Sequence, residues 1–133
     1  MGAPSRLSLW GPVFLYLAFI FALSSIAHPP ELPNGSDKQL HAVLYAGLGM
    51  LLARALVGGL TRPVPFGMVV LTTLLAGLYG VSDEIHQMFV PPRQVEALDV
   101  VADTIGGALG ASALYAWGII QKRHGLREPP HRA

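Results

Sequence analysis

Charged side chains are absent, or nearly so, from four windows of this chain, each long enough for one helix to cross a bilayer. Leu7 to Ala27 is 21 residues without a charge, and Pro63 to Ser82 is 20. Leu40 to Leu60 carries only Arg54, plus His41, and Val100 to Ile120 carries only Asp103. At about 1.5 Å per residue, some 20 residues of helix cover roughly 30 Å, the thickness of the hydrocarbon core. Lipid offers no partner to backbone N–H and C=O groups, so a spanning segment must satisfy them internally, as a helix does. The ~10-residue alternating segments of a membrane barrel are missing. The pattern predicts an all-α fold: a polytopic membrane bundle of four antiparallel transmembrane helices in a single domain over 1–133. Its core runs from about 7 to 120, and a basic tail occupies 121–133. Expected connections are 28–38, about 58–64 and about 83–98, all marked by Pro or Gly.

Composition agrees. Hydrophobic residues are 52% and charged residues 13%, against about 25% charged in a soluble domain. The net charge of +1 gives no strong field to attract DNA or RNA, so no nucleic-acid partner is expected and the lipid bilayer is the first partner. With no cysteine in the chain, disulfides and thiolate metal sites are excluded.

Lys and Arg in short loops set orientation. The N-terminal segment, second connection and tail hold Arg6, Arg54, Arg62, Lys122, Arg123, Arg127 and Arg132; the other two connections hold Lys38 and Arg93. Seven against two predicts a multi-pass protein of the cell membrane with both termini cytoplasmic. Arg6, the apolar stretch and Ser25-Ile26-Ala27 also admit a cleaved signal peptide over 1–27. The stretch exceeds a usual signal core, so a retained anchor is the expectation.

Acids gather at the opposite side. Glu31, Asp37, Asp83, Glu84, Glu96, Asp99 and Asp103 fall there, and only Glu128 lies with the basic segments. Ser36 and Gln39 have capping-box spacing, which predicts Ser36 as an N-cap. Asp37, His41 and Tyr45 share one helix face. Tyr79, Asp83, His86 and Gln87 lie on one face of the third helix if it continues that far, and Asp99 and Asp103 are one turn apart on the fourth. Gly106 and Gly110 form a small-residue face that admits close helix approach. Gly47, Gly49, Gly77 and Gly80 can serve the same end. Each polar residue has a plainer reading. Asp37 suits a helix start, Lys38 can snorkel, and His41, Tyr45 and Tyr79 can be hydrogen-bonded packing residues. Glu31 and Glu96 can be solvated loop charges. Asp103 resists this treatment, because an acid one turn below the interface costs a few kcal/mol unless paired or wet.

Ser36-Asp37-Lys38 followed by His41, then Asp83-Glu84-Ile85-His86-Gln87 with Phe89, Pro91, Arg93, Gln94, Asp99 and a Gly-rich helix, resembles the VanZ-like family of small bacterial membrane proteins. The resemblance covers about residues 7–120. It implies a multi-span protein of the bacterial cell envelope, in a family whose founding member is associated with low-level teicoplanin resistance. Matching positions are Asp37, Lys38, His41, Asp83, Glu84, Gln87, Arg93, Asp99 and Gly107. The chain departs at Asp103, where the family more often has Asn, and at Pro92, where it often has Gly.

Three functions fit these residue types. The favoured one is an outer-side polar cluster that binds an envelope component or an amphiphilic antibiotic, with Asp37, Lys38, Gln87, Arg93, Asp99 and Asp103 as ligand-binding residues. The second is a membrane-embedded enzyme acting on a lipid-linked or envelope substrate. Asp83, Glu84, His86 and His41 would be its acid–base residues, while Lys38 and Arg93 would hold an anion. A proton-coupled transporter is third, since the inner helix halves are apolar or small. No cofactor is expected. A divalent metal is a minor alternative that requires His41, His86, Asp83, Asp99 and Asp103 to converge, and no HExxH pattern is present.

Overall fold

The structure, a computed structural model, describes residues 3–33 and 36–125. Arg127 and Arg132 of the orientation count, Glu128, and the rest of the tail beyond 125 lie outside the described residues. Four helices follow one another: α1 (Arg6–Ser24), α2 (Asp37–Leu56), α3 (Phe66–Gln87) and α4 (Ala97–Arg123). Each is long and apolar enough to cross a membrane.

Local chemistry sets their ends. Ser5 caps α1 by accepting from Ser8 N–H at 3.1 Å, as a short hydroxyl at an N-cap should. Pro12 lies inside α1. It has no N–H, so it leaves the Ser8 carbonyl without its helical donor. Arg54 of α2 donates to that carbonyl at 3.2 Å, so the basic end of α2 repairs α1. The turn after α2 uses Gly58 and Gly59 at φ of 79° and 118°, a region other residues rarely enter. The expected capping box at α2 does not form. Ser36 sits near helical backbone angles and turns its hydroxyl to the Pro33 carbonyl at 2.6 Å. The third connection is also shorter than expected, because α3 continues through Gln87 and α4 starts at Ala97.

Contacts fix the topology. Tyr16 meets Leu44 while Ser8 meets Arg54, so α1 and α2 run in opposite directions. Gly77 lies beside Thr104 and Gly80 beside Asp103, so α3 and α4 also oppose. Gly106 faces Ala42 and Gly110 faces Ala46, so α2 and α4 run parallel. The chain therefore goes up and down, with successive helices antiparallel. Both the start of α1 and the end of α4 lie at one end of the bundle.

The α2–α4 contact is the closest. A Cβ on Gly106 or Gly110 would collide with the carbonyl of Ala42 or Ala46, and one on Gly49 with the carbonyl of Gly107. Small residues let these backbones touch, the usual way for helices to associate in lipid. α1 lies at the side, on α2 and α3. Its hold includes Tyr16 Oη donating to the Leu44 carbonyl at 2.9 Å and Tyr79 Oη donating to the Leu17 carbonyl at 2.7 Å. Leu9, Val13, Ile20, Tyr45, Leu48 and Leu52 are buried between the helices. Phe14, Leu15, Leu74, Leu78 and Leu109 point outward. Apolar side chains outside as well as inside mark helices whose solvent is lipid.

Candidate functional site

The alternating topology brings four segments to one end of the bundle: the end of α1, the start of α2, the end of α3 and the start of α4. Three of them carry acids in the turns nearest that end. Asp83 and Glu84 come from α3, Asp99 and Asp103 from α4, and all four are at most 5% exposed. Burial this deep costs several kcal/mol for an unpaired charge, so the partners matter.

Lys38 is the hub. Its ammonium reaches Glu96 Oε2 at 2.6 Å and Asp37 Oδ2 at 3.4 Å, and it also pairs with Asp99 Oδ1. Three carboxylates surround this cation, so it is already engaged as their counter-charge rather than free to hold an anion. His41, one turn further along α2, places Nδ1 2.9 Å from Asp103 Oδ1 and Nε2 3.7 Å from Asp99 Oδ2. The first distance is a hydrogen bond and the second exceeds one. His41 thus sits between the two acids of α4, while Tyr45, one turn further along α2, sets its ring against Tyr79 of α3.

A second network lies on α3. Arg93 donates to Gln87 Oε1 at 2.9 Å, and Gln87 Nε2 lies 3.5 Å from Asp83 Oδ2. The Glu96 backbone N–H donates to Glu84 Oε2 at 3.0 Å. This bond ties the third connection to α3 and brings Glu96 to Lys38. The remaining oxygens, Asp83 Oδ1, Glu84 Oε1 and Asp103 Oδ2, and the Tyr45 hydroxyl are buried with no hydrogen-bond partner. Buried polar atoms usually find one.

His86 does not join the acids. Its ring stacks on Phe21 of α1, with centroids 4.2 Å apart, and Nε2 lies 2.9 Å from Ser25 Oγ. The expected acid–base group of Asp83, Glu84 and His86 is therefore split: the two carboxylates turn inward and the imidazole clasps the end of α1. Glu96 is the participant that sequence reading passed over. Its position three residues before Asp99 puts both on one helix-start face, and this spacing was the available signal.

Several of these groups border one cavity of about 840 Å³, whose lining leaves out Lys38, Glu84, His86 and Asp103. Asp37, His41, Tyr45, Asp83, Gln87, Arg93, Glu96 and Asp99 form its polar side, and Ile20, Leu23, Ile26, Leu32, Leu40 and Leu44 form an apolar wall. Ile26, Leu32 and Leu40 are also exposed outward, so the wall continues to the surface. A volume in the range of ordinary small-molecule pockets, with a charged floor and an oily side, can hold a molecule that is itself part polar and part apolar.

Fold and site together define a multi-span membrane protein whose ionisable groups meet in a cavity at one end of a four-helix bundle. The chain belongs to the VanZ/LLP1 family, whose sequence pattern matches residues 12–120. No curated protein and no solved structure matches it.

Proposed function

We propose that this protein binds the polar head of an amphiphilic cell-envelope molecule in the cavity at the acidic end of its bundle. The carrying observation is the cavity's two-sided lining. Buried carboxylates and His41 share that lining with Ile20, Leu23, Leu40 and Leu44, and its apolar residues Ile26, Leu32 and Leu40 are also exposed at the surface. An amphiphile can keep its tail in the bilayer while its head enters, so little apolar area is exposed to water during binding. Acids outnumber permanent cations at this end, with Glu31, Asp37, Asp83, Glu84, Glu96, Asp99 and Asp103 against Lys38 and Arg93. The head is therefore rich in hydrogen-bond donors, carries a cationic group, or arrives with a cation. The excess of Lys and Arg at the opposite end supports an extracytoplasmic mouth and cytoplasmic termini. An amphiphilic antibiotic would be a ligand of the same kind, and that is the route by which a glycopeptide-resistance role would follow.

Native mass spectrometry of the protein, purified in mild detergent from its host membranes, tests this reading. We expect a retained amphiphile that is lost in the double variant Asp83→Asn/Leu44→Trp, which alters the floor and fills the wall. A wild-type protein that carries no such molecule, or a variant that retains it equally, refutes the proposal.

A second reading has its own support. His41, oriented by Asp103 and beside Asp99, has the arrangement of a general acid–base pair acting on a lipid-linked substrate. Under it, His41→Ala abolishes turnover of that substrate outright while insertion is normal. Graded losses spread over the cavity favour binding alone.

A further inference from the structure

We propose that Asp37, His41 and Asp99 bind one divalent first-row metal ion of the Zn²⁺ or Mn²⁺ kind. One ligand atom from each residue lies within 4.8 Å of the other two. One pair in the set, His41 Nε2 and Asp99 Oδ2, is 3.7 Å apart. That is too far for a hydrogen bond. It is close to the ~3.4 Å that separates two ligands about 2.1 Å from one tetrahedral ion.

Three further observations point to an ion rather than to a chance meeting of acids. First, His41 is held from behind. Its Nδ1 is 2.9 Å from Asp103 Oδ1, and Asp103 is fully buried. Metal-binding imidazoles regularly give their second nitrogen to a carboxylate, which fixes the ring and leaves the other nitrogen's lone pair for the ion. Here that nitrogen faces Asp99. Second, Asp99 is divided: Oδ1 pairs with Lys38 and Oδ2 faces His41. Lys38 thus fixes the carboxylate without covering the oxygen toward the imidazole. Third, Asp83 Oδ1 is buried without a partner on the wall of the same cavity that Asp37, His41 and Asp99 line. A hydrated ion gives such an oxygen a water to accept from. One imidazole and two carboxylates suit Zn²⁺ or Mn²⁺, and three protein ligands leave a position for a ligand oxygen. Asp37, which is 54% exposed at its side chain, closes the side toward solvent.

The ion would invert the sign of the mouth, making it attractive to a phosphate or carboxylate head. This consequence rests on the amphiphile reading, whereas the ion site does not.

The test uses the full chain in detergent, carrying no histidine tag. It is stripped with a chelator, equilibrated with zinc or manganese chloride, desalted and assayed for metal. About one equivalent is expected for a site of this kind. His41→Gln and Asp99→Asn should fall to background. Asp103→Asn should keep the stoichiometry with affinity weakened about 10- to 100-fold, and Glu31→Gln at the same mouth should bind as wild type. Asp37→Asn changes an exposed side chain, so it decides the matter if the buried variants do not fold: reduced uptake supports the site and unchanged uptake overturns it. Wild-type uptake below about a tenth of an equivalent also overturns it. No amphiphile is added, so failure here leaves the amphiphile reading standing. Wild-type protein that takes up the metal but carries no amphiphile from its host membranes overturns that reading alone.

Discussion

Substitution of Gly106 by alanine should damage both the stability of the bundle and the geometry of its acidic end. A Cβ at Gly106 would lie 2.9 Å from the carbonyl carbon and Cα of Ala42, and closer still to its oxygen. Carbon atoms rest about 3.5–4.0 Å apart, so α2 and α4 must separate by about 0.6–1.1 Å. Backbone lies on both sides of the contact, so no rotamer change can absorb the clash. Overpacking of this kind costs about 1–3 kcal/mol. Asp103 is one turn away on the same helix and moves with it. Its 2.9 Å bond to His41 would stretch to roughly 3.5–4.0 Å, past the hydrogen-bond limit. The assay is equilibrium unfolding in detergent, together with the nitrogen-bound proton resonance of the His41 ring. Gly106→Ala should lose about 1–3 kcal/mol and shift that resonance. Gly110→Ala, which meets the Ala46 backbone, should do likewise. Gly67→Ala is the control: nothing lies within 4 Å of its added Cβ, and alanine's helix preference should make it neutral or more stable by up to about 1 kcal/mol. If Gly106→Ala stays within about 0.5 kcal/mol of wild type, the close approach does not hold the acids in place.

Lys38→Met should destabilise the protein by about 1–2 kcal/mol, measured with chelator present. The value lies between those of buried and exposed pairs because Lys38 is about a third exposed, and Lys38→Arg should recover most of it. Tyr16→Phe and Tyr79→Phe each remove one bond that fastens α1. Each should cost roughly 0.6 kcal/mol by the membrane average, and thermal unfolding of the single and double variants should show the losses adding. The chain has no native cysteine, so single cysteines report sidedness cleanly. Glu31→Cys should react with a membrane-impermeant maleimide in intact cells and Arg62→Cys only after permeabilisation; the reverse pattern would turn the molecule over.

Helix number and placement were legible because charge is costly in lipid, so charge-free windows outline the spans directly. The meeting of Asp37, Lys38, His41, Asp99 and Asp103 at one end followed from the same windows, since alternating spans put the acid-bearing ends together. The glycines of α4 pointed to close packing, and the structure supplies their partners in Ala42 and Ala46. Azimuthal direction was not legible. Spacings of seven and three residues put His86 on the face of Tyr79 and Asp83; like Tyr79 it meets α1, at Phe21 and Ser25, while Asp83 turns inward, because the position of α1 is a tertiary fact that no local pattern encodes. The capping box failed for a related reason. Ser36 has the right spacing, but its hydroxyl is engaged with the Pro33 carbonyl instead of the first turn of α2.

The two sides of the cavity are made by different stretches of chain. Most of the ionisable groups come from α2, α3, the segment leading into α4 and the first turn of α4, and α2 and α4 are locked by contacts that tolerate no added carbon. The oily side comes largely from the end of α1 and the connection after it, where side chains meet few such limits. Changes around residues 20–32 can therefore reshape the oily lining while the charged floor stays in place.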